Sequence, residues 1–330
     1  MQLSVLDLAP VPSGSTASES LKRTVDLARL ADRLGYTRYW FAEHHGMPGV
    51  ASSSPEILIA HVAAATGRIR VGSGGIMLPN HVPLRVAENF HTLEALYPGR
   101  IDLGIGRAPG TDPMTAQALR PFDAAQFSAQ LSELLHLSRG SFDVDHPFHR
   151  IRVIPNDVSL PPVWLLGSSG ASARLAGSLG LGYSFASHFS PASPEPALAA
   201  YRASFVPSEQ FPEPHAIIAV AVVCAETDEH AEYLSRTMDL AWVRLRTGFP
   251  GLLPSPEEAL AYPYTPLEKE AVMGYRSLHF IGRPEVVRGQ IEGLVRECGA
   301  DEVMVSSMIH SHRDRLRSFE LLAGAFGISV

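Results

Sequence analysis

The stretch IRVGSGGIMLPNHVPLRVAENFHTLEALYPGRIDLGIG, residues 69–106, decides the fold class. It opens on a short apolar run, Ile69 to Gly75, and passes through a helical pattern from Arg85 to Leu96. It then returns to a second short run, Ile101 to Gly106. Neither run alternates cleanly between apolar and polar residues, which is the pattern of strands covered on both faces. Strand, helix and strand in that order make a parallel crossover unit.

The same unit recurs in both directions. Towards the N-terminus, LSVLDL (Leu3 to Leu8) reads as a strand, and a helix begins near Ser18 behind a Thr16-x-x-Glu19 capping box and stops at Gly35. Thr37 to Ala42 is the next strand, and Ser54-Pro55 opens a helix that closes at Gly67. Towards the C-terminus, Gln117 to Leu137 is mostly helical, with a new start at Pro121. Strands follow at Pro161–Gly167, Gly182–Ser187, Ala216–Cys224 and Asp301–Ser307. Helices at Ala171–Leu179, Pro194–Phe205, Asp228–Arg246, a segment led by Pro284, and Arg313–Ala323 separate and follow them.

Eight strands predict closure into a (β/α)8 TIM barrel, one domain over residues 1–330. The first strand is not followed by G-x-G-x-x-G, which argues against an open dinucleotide-binding sheet. Residues 142–155 alternate in character and predict a surface hairpin insertion. Residues 247–266 are rich in proline and glycine without periodicity, too long for an ordinary connection, and predict an active-site loop or lid.

Apolar residues make up 45% of the 330 and charged residues 18%, which places the chain among folded globules. The net charge of -7 is spread without a basic block, so no nucleic acid is expected as a partner. The first residues lack a basic leader pattern and no run reaches membrane-span length, so neither export nor a membrane partner is expected. Two cysteines, Cys224 and Cys298, read as buried thiols in a reducing cytoplasm.

In a β/α barrel the chemistry belongs to residues just beyond the strands. Here these are Asp7, Glu43-His44-His45, Gly74-Gly75 with Asn80 and His81, Gly106-Arg107, Gly167-Ser168-Ser169, His188, and His310 with His312. Six of the fourteen histidines fall in these loops, and histidine is the side chain best placed to exchange protons near neutrality. Gly72, Gly74, Gly75, Gly104 and Gly106 leave gaps on two neighbouring strands, either for a flat ligand or for packing at the barrel mouth. GSSGASAR (Gly167 to Arg174) offers backbone N–H groups, the hydroxyls of Ser168, Ser169 and Ser172, and a helix N-terminus. With the Arg107 guanidinium it makes a candidate phosphate site.

YTRYWFAEHHG, IRVGSGGIMLPNHVPLRVAE, LYPGRIDLGIGRAPG, PVWLLGSSGASARLAGSLGLGYSFA and GADEVMVSSMIHSHRDRLRSFELLA together resemble the bacterial luciferase-like flavin monooxygenases. The likeness is strongest to their stand-alone, non-luminous oxidoreductases and spans nearly the whole chain. The resemblance implies FMN, reduced by NAD(P)H on the protein or by a partner flavin reductase, oxygen activation at the flavin C4a position, and a homodimer. Oxygen and a small organic molecule would be the substrates. It also places a non-prolyl cis peptide at Gly74-Gly75 against the flavin ring, and the catalytic histidine at His44. Arg107 falls on a phosphate-binding arginine, and Gly167, Ser168, Ser169 and Ser172 on the phosphate turn. Gly106 stands where the light-emitting subunit of the luciferases carries a reactive cysteine, which sets this chain apart from long-chain aldehyde chemistry.

Three other readings stay open at this stage. A deazaflavin-dependent hydride-transfer enzyme of the same superfamily would use the same phosphate turn. A non-catalytic flavin-binding protein would make His44 a structural contact. A metal-dependent hydrolase would need Asp7, His44, His45, His188 and His310 to converge, although they form no tight ligand motif, and no metal is expected.

Overall fold

Local signals at the element ends are honoured in the computed structural model, which describes residues 1–120 and 123–328. Thr16 caps the helix Ala17–Leu34 by accepting from the Glu19 N–H, and Gly35 ends it in the left-handed region at φ 85°. Pro284 occupies the first turn of the helix Pro284–Cys298. Pro121 lies outside the described residues. On either side of it are a helix over Pro113–Leu119 and another over Phe127–Arg139.

The strands are β1 Gln2–Asp7, β2 Arg38–Phe41, β3 Arg70–Met77, β4 Ile101–Gly106, β5 Val163–Gly167, β6 Gly182–Ala186, β7 Ala216–Cys224, β8 His279–Gly282 and β9 Glu302–Ser306. All pairings between them are parallel. β1 to β7 pair in sequence order, and β9 lies between β7 and β1, closing a barrel of eight strands. β8 is additional. It takes over from β6 along one edge of β7: Tyr183↔Ala216 through Ala186↔Ala219 is followed by Ala221↔His279 through Cys224↔Gly282. Four residues with a single neighbouring strand carry almost no periodic signal, which is why the sequence does not announce β8.

Alternate residues of each strand face the axis and fill it in layers. At the N-terminal end, Arg38 donates to Glu302 Oε1 at 2.8 Å and to Asp102 Oδ2 at 3.0 Å, and both carboxylates are fully buried. Above this charged floor, Trp40 and Trp164 meet edge to face at 5.6 Å between ring centroids. Glycine makes room for them: a Cβ at Gly182 would stand 2.3 Å from the Trp164 ring, and one at Gly72 would stand 2.9 Å from the Trp40 indole nitrogen. Above the tryptophans the inward positions include Ala42 of the β2 end, Ala186, Ala219 and Ala221, so the barrel opens towards the C-terminal ends of its strands.

One expected surface feature, the hairpin, comes out differently. Residues 142–155 contain turns and no strand. Phe142 stacks on His146 at 4.0 Å and its carbonyl accepts from His149 Nδ1, so local side-chain packing holds the segment without a ladder. Residues 247–266 are not a free flap. Leu253 N–H bonds the Val11 carbonyl at 2.8 Å, and its own carbonyl accepts from Ser13 N–H. A short helix, Pro256–Ala261, then lies against the helix Asp228–Arg246 through Arg244–Glu258. A further helix, Pro266–Arg276, leads to β8. Cys224 and Cys298 are buried free thiols. Among the described residues no helix is long and apolar enough to cross a membrane.

The glycine packing is testable. A Cβ at Gly104 would lie 2.1 Å from the Ser73 carbonyl oxygen, a backbone atom that cannot swing aside. Gly104→Ala should therefore cost about 2–3 kcal/mol or prevent folding. Gly324→Ala, inside the helix His312–Phe326 with nothing nearby, should instead stabilise by about 0.5–1 kcal/mol. Urea unfolding of both variants reads the contrast, and equal effects would contradict the close approach at Gly104.

Candidate active site

The mouth of the barrel is organised around Glu43, one residue beyond Ala42 at the end of β2. Its carboxylate is fully buried and accepts from His45 Nε2 at 2.8 Å, His81 Nε2 at 2.9 Å, the Met77 N–H at 2.8 Å and Asn80 Nδ2 at 3.1 Å. Asn80 also donates to the Pro109 carbonyl, and His45 N–H to the Gly110 carbonyl. One side chain thus ties together the loops after β2, β3 and β4. Burial opposes its charge, but the hydrogen bonds from His45 and His81, the charge of His81 and the Met77 amide outweigh it and hold the carboxyl down at about 2. The same bonds raise His81 against the pull of its own burial. The sequence marks Glu43 only as part of a triplet, because three of its partners lie more than thirty residues away.

His44 follows with the opposite electrostatics. Its backbone is fixed by a bond from its N–H to the Ser52 carbonyl at 3.0 Å. Burial lowers its pKa despite the attraction of Glu43, and the nearby His45 adds to the lowering. Its Nδ1 is buried with no hydrogen-bond partner among the described residues. A neutral imidazole with an uncommitted nitrogen can accept or pass a proton.

The peptide bond between Gly74 and Gly75 is cis, as the resemblance implied. A Cβ at Gly74 would meet Leu6 Cδ1 at 2.8 Å, and one at Gly75 would meet Leu166 Cδ1 at 2.5 Å and the Gly104 carbonyl at 2.7 Å. Packing therefore accounts for these glycines as well as for Gly72 and Gly104. Each has a protein neighbour where a side chain would begin.

At the end of β5 the turn runs into the helix Gly170–Ser178. Ser169 is the N-cap but makes no side-chain cap bond, and the exposed hydroxyls of Ser168 and Ser169 have no partner among the described residues. Ser172 differs. Its hydroxyl donates to the Ser169 carbonyl at 2.9 Å and lies 3.3 Å from the Tyr183 hydroxyl, and Gly167 is the residue small enough to sit against it. Arg107, one residue past β4 and exposed, has no ion-pair or hydrogen-bond partner among the described residues. Arg174 of the same turn, which the sequence reading passed over, lies close enough that a Cβ at Gly170 would be 3.4 Å from its Nη1.

Other candidates are committed elsewhere. Asp7 is fully buried and bound to Arg315 at 2.7 Å, to Thr24, to Tyr39 and to the Ala9 N–H. His310 bonds Ser13, and His312 lies 3.4 Å from Asp26. Among the described residues no group of three or more His, Cys, Asp or Glu side chains is placed to hold a metal ion. A groove of about 420 Å3 is lined by Asp228, Glu229, Glu232, Ile281 and Val286. There Asp228 and Glu232 are already paired with Arg283 and Arg276.

Glu43 supplies a pH-dependent prediction. A carboxyl lowered to about 2 on folding stabilises the protein fully above its ordinary pKa of 4.5 and loses that contribution as pH falls through 2. The contribution at neutral pH is on the order of 3 kcal/mol. Glu43→Gln should cost about 2–4 kcal/mol near neutral pH and clearly less near pH 3. Urea unfolding at the two pH values measures this, and a cost independent of pH would refute the ionised hub.

Comparison with known proteins agrees with this architecture. The family model described as luciferase-like monooxygenase matches residues 1–302. A luciferase-like monooxygenase of Escherichia coli is 45% identical, covering 96% of this chain and 95% of its own. The structure of apo-MsnO8 is 43% identical, with a TM-score of 0.89 over 99% of this chain and 98% of that one. The oxygenating constituent of 3,6-diketocamphane monooxygenase from Pseudomonas putida, solved in complex with FMN, shares the fold. It is 18% identical, with a TM-score of 0.74 over 100% of this chain and 98% of that one. Family match, near-complete coverage and closed barrel agree, and the chain belongs to the luciferase-like monooxygenases as a non-luminous, stand-alone flavoenzyme.

Proposed function

We propose that the protein is an FMN-dependent monooxygenase acting with O2 on a small organic substrate, and that FMN lies across the mouth from β5 to β2. The observation that carries this reading is the donor set at the ends of β4 and β5. These strands are neighbours, so Arg107 and the turn Gly167–Ser169 each begin two residues beyond the last pair, Ile105↔Leu165, on adjacent strand ends. An unpaired guanidinium, two exposed hydroxyls and an uncapped helix N-terminus suit a phosphate dianion. Ser172 supports the turn from behind, since its proton is used by the Ser169 carbonyl.

Around the rim from that phosphate site come Gly74-Gly75 on β3 and then His44 beyond β2. This order matches a ligand with a phosphate tail, a flat ring and a reacting edge. Bound FMN would supply the electrons for oxygen, with NAD(P)H as the ultimate reductant, received on the protein or through a flavin reductase. The residues do the rest. The Trp40–Trp164 layer seals the barrel below the site, the anchored segment around Leu253 walls its rim, and His44 holds or moves a proton at its uncommitted Nδ1.

Two substitutions test the two ends of this arrangement. Arg107→Ala should weaken FMN about tenfold or more while hardly changing riboflavin, which lacks the phosphate. Fluorescence titration of both ligands decides it, and equal losses would remove the phosphate placement. Parallel titration with the deazaflavin coenzyme separates the two cofactors, because tighter binding of that coenzyme would replace FMN in this reading.

His44→Ala should keep FMN affinity within about twofold but slow turnover by roughly a hundredfold to ten-thousandfold. Stopped-flow mixing of the reduced, FMN-loaded protein with O2 gives an earlier readout. Traces identical to wild type at the flavin absorption bands, together with unchanged turnover, would return His44 to a structural role.

A further inference from the structure

Two imidazoles at the mouth take no part in the arrangement above. His188 stands two residues beyond β6, with its N–H bonded to the Ala219 carbonyl at 2.9 Å. His279 opens β8 and lies in register with Ala221. Because β8 continues the edge of β7 that β6 leaves, the two histidines meet where one strand hands over to the other. Residues in register on a parallel ladder send their side chains to the same face. Ala221 is also in register with Ser306 of β9, so His279 lies beside Ala221 on the face of β7 that carries Ala219 and Ala221. Tyr275 meets the His279 ring edge on at 4.3 Å and is itself stacked on Trp242 at 4.9 Å, which fixes the imidazole from behind.

These rings are short of partners. His279 is only 8% exposed, yet among the described residues neither of its nitrogens has a well-formed hydrogen-bond partner, and His188 Nδ1 is likewise buried without one. Buried polar atoms in native proteins are almost always satisfied, so a cluster of exceptions asks for a partner, which a bound molecule or water would supply. Burial pushes both imidazoles down to about 4. At His188 a hydrogen bond to the Ala219 backbone pulls the other way more than His44 repels, and at His279 repulsion from His188 and Arg276 adds to burial against a smaller pull from the His188 backbone. The rings therefore face a ligand as neutral donors and acceptors. Arg276 is already paired with Glu232 and Asp239, so it leaves no charge to spare for an ionic ligand.

We propose that His188 and His279 form the polar end of the organic-substrate subsite and that they select an uncharged molecule. Its single hydrogen-bond acceptor would lie between the two rings, and its apolar body over Ala219 and Ala221. This deepens the flavoenzyme reading and rests on it, because the subsite opens onto the same mouth as His44. His188 and His279 are specificity-determining residues for the incoming substrate, and neither belongs to the phosphate site.

The test uses FMN-loaded protein with ring-15N-labelled histidine and three probes that share one ring and differ in charge: cyclohexanone, cyclohexanecarboxylate and cyclohexylammonium. Cyclohexanone should shift the His188 and His279 ring nitrogens saturably and leave those of His136 and His146, far out on the surface, unmoved. Both charged probes should bind about tenfold more weakly or worse. His279→Phe and His188→Phe should each weaken cyclohexanone by about tenfold, with FMN quenching unchanged within about twofold. Should either variant fail to fold, the wild-type shifts and the charge ranking decide alone. No saturable shift, equal affinity in the variants, or preference for a charged probe would overturn the subsite. The flavin reading is separated by repeating the titration without FMN. If FMN does not bind but cyclohexanone still shifts both histidines, the subsite stands and the cofactor assignment falls. If FMN binds and no shift occurs, the reverse holds.

Discussion

A single guanidinium on the barrel axis sets the frame on which the other features rest. Arg38 of β2 is held between Asp102 of β4 and Glu302 of β9, 4.6 Å over the Trp164 ring of β5. Arg70 and Trp40 also reach Asp102, and His215 and Ser4 reach Glu302. Burial works against the Arg38 charge, but the two carboxylates outweigh it and raise its pKa, while burial works against theirs and the guanidinium keeps them ionised. Such a network adds little net stability compared with an apolar filling, yet removing one member leaves an uncompensated buried charge at a cost of about 3–5 kcal/mol. Its effect here is one of register, since a slip of one residue in β2, β4 or β9 would part the charges.

The layers above follow from that floor. With the N-terminal end closed by ions and the middle closed by two indoles, the C-terminal ends of the strands carry a mix of small inward residues, Ala42 and Ala219, and apolar ones, Leu6 and Leu166. The glycines that first suggest room for a ligand thus have two jobs by height. Gly72 accommodates tryptophan, as Gly182 does, Gly104 lets β3 and β4 approach, and Gly74, Gly75 and Gly106 sit nearer the strand ends against Leu6, Leu166 and Met77.

Histidine shows how environment divides one residue type into roles. His45 and His81 donate to an ionised Glu43 and serve as ties between loops. His44, His188 and His279 sit in buried surroundings without a bonded carboxylate, and all three are shifted towards the neutral form. The mouth accordingly has a charged side that ties the loops together and a side of neutral imidazoles.

Much of this was legible in the linear sequence wherever the information is local. Ile101–Gly106, Ala216–Cys224 and Asp228–Arg246 are found as read, because apolar runs, caps and stop glycines act between near neighbours. The triplet Glu43-His44-His45, Gly74-Gly75 and the GSSGASAR turn stood out for the same reason. The helix Pro266–Arg276 and β8 escaped notice inside and after a proline-rich stretch. The hairpin expected at 142–155 proved to be turns, since alternation without a partner strand does not make a ladder. Glu43 as a hub, the packing of the glycines, and the meeting of His188 with His279 were decided by tertiary structure alone. Each depends on atoms brought together from distant parts of the chain, and only barrel closure with a defined register creates those neighbours.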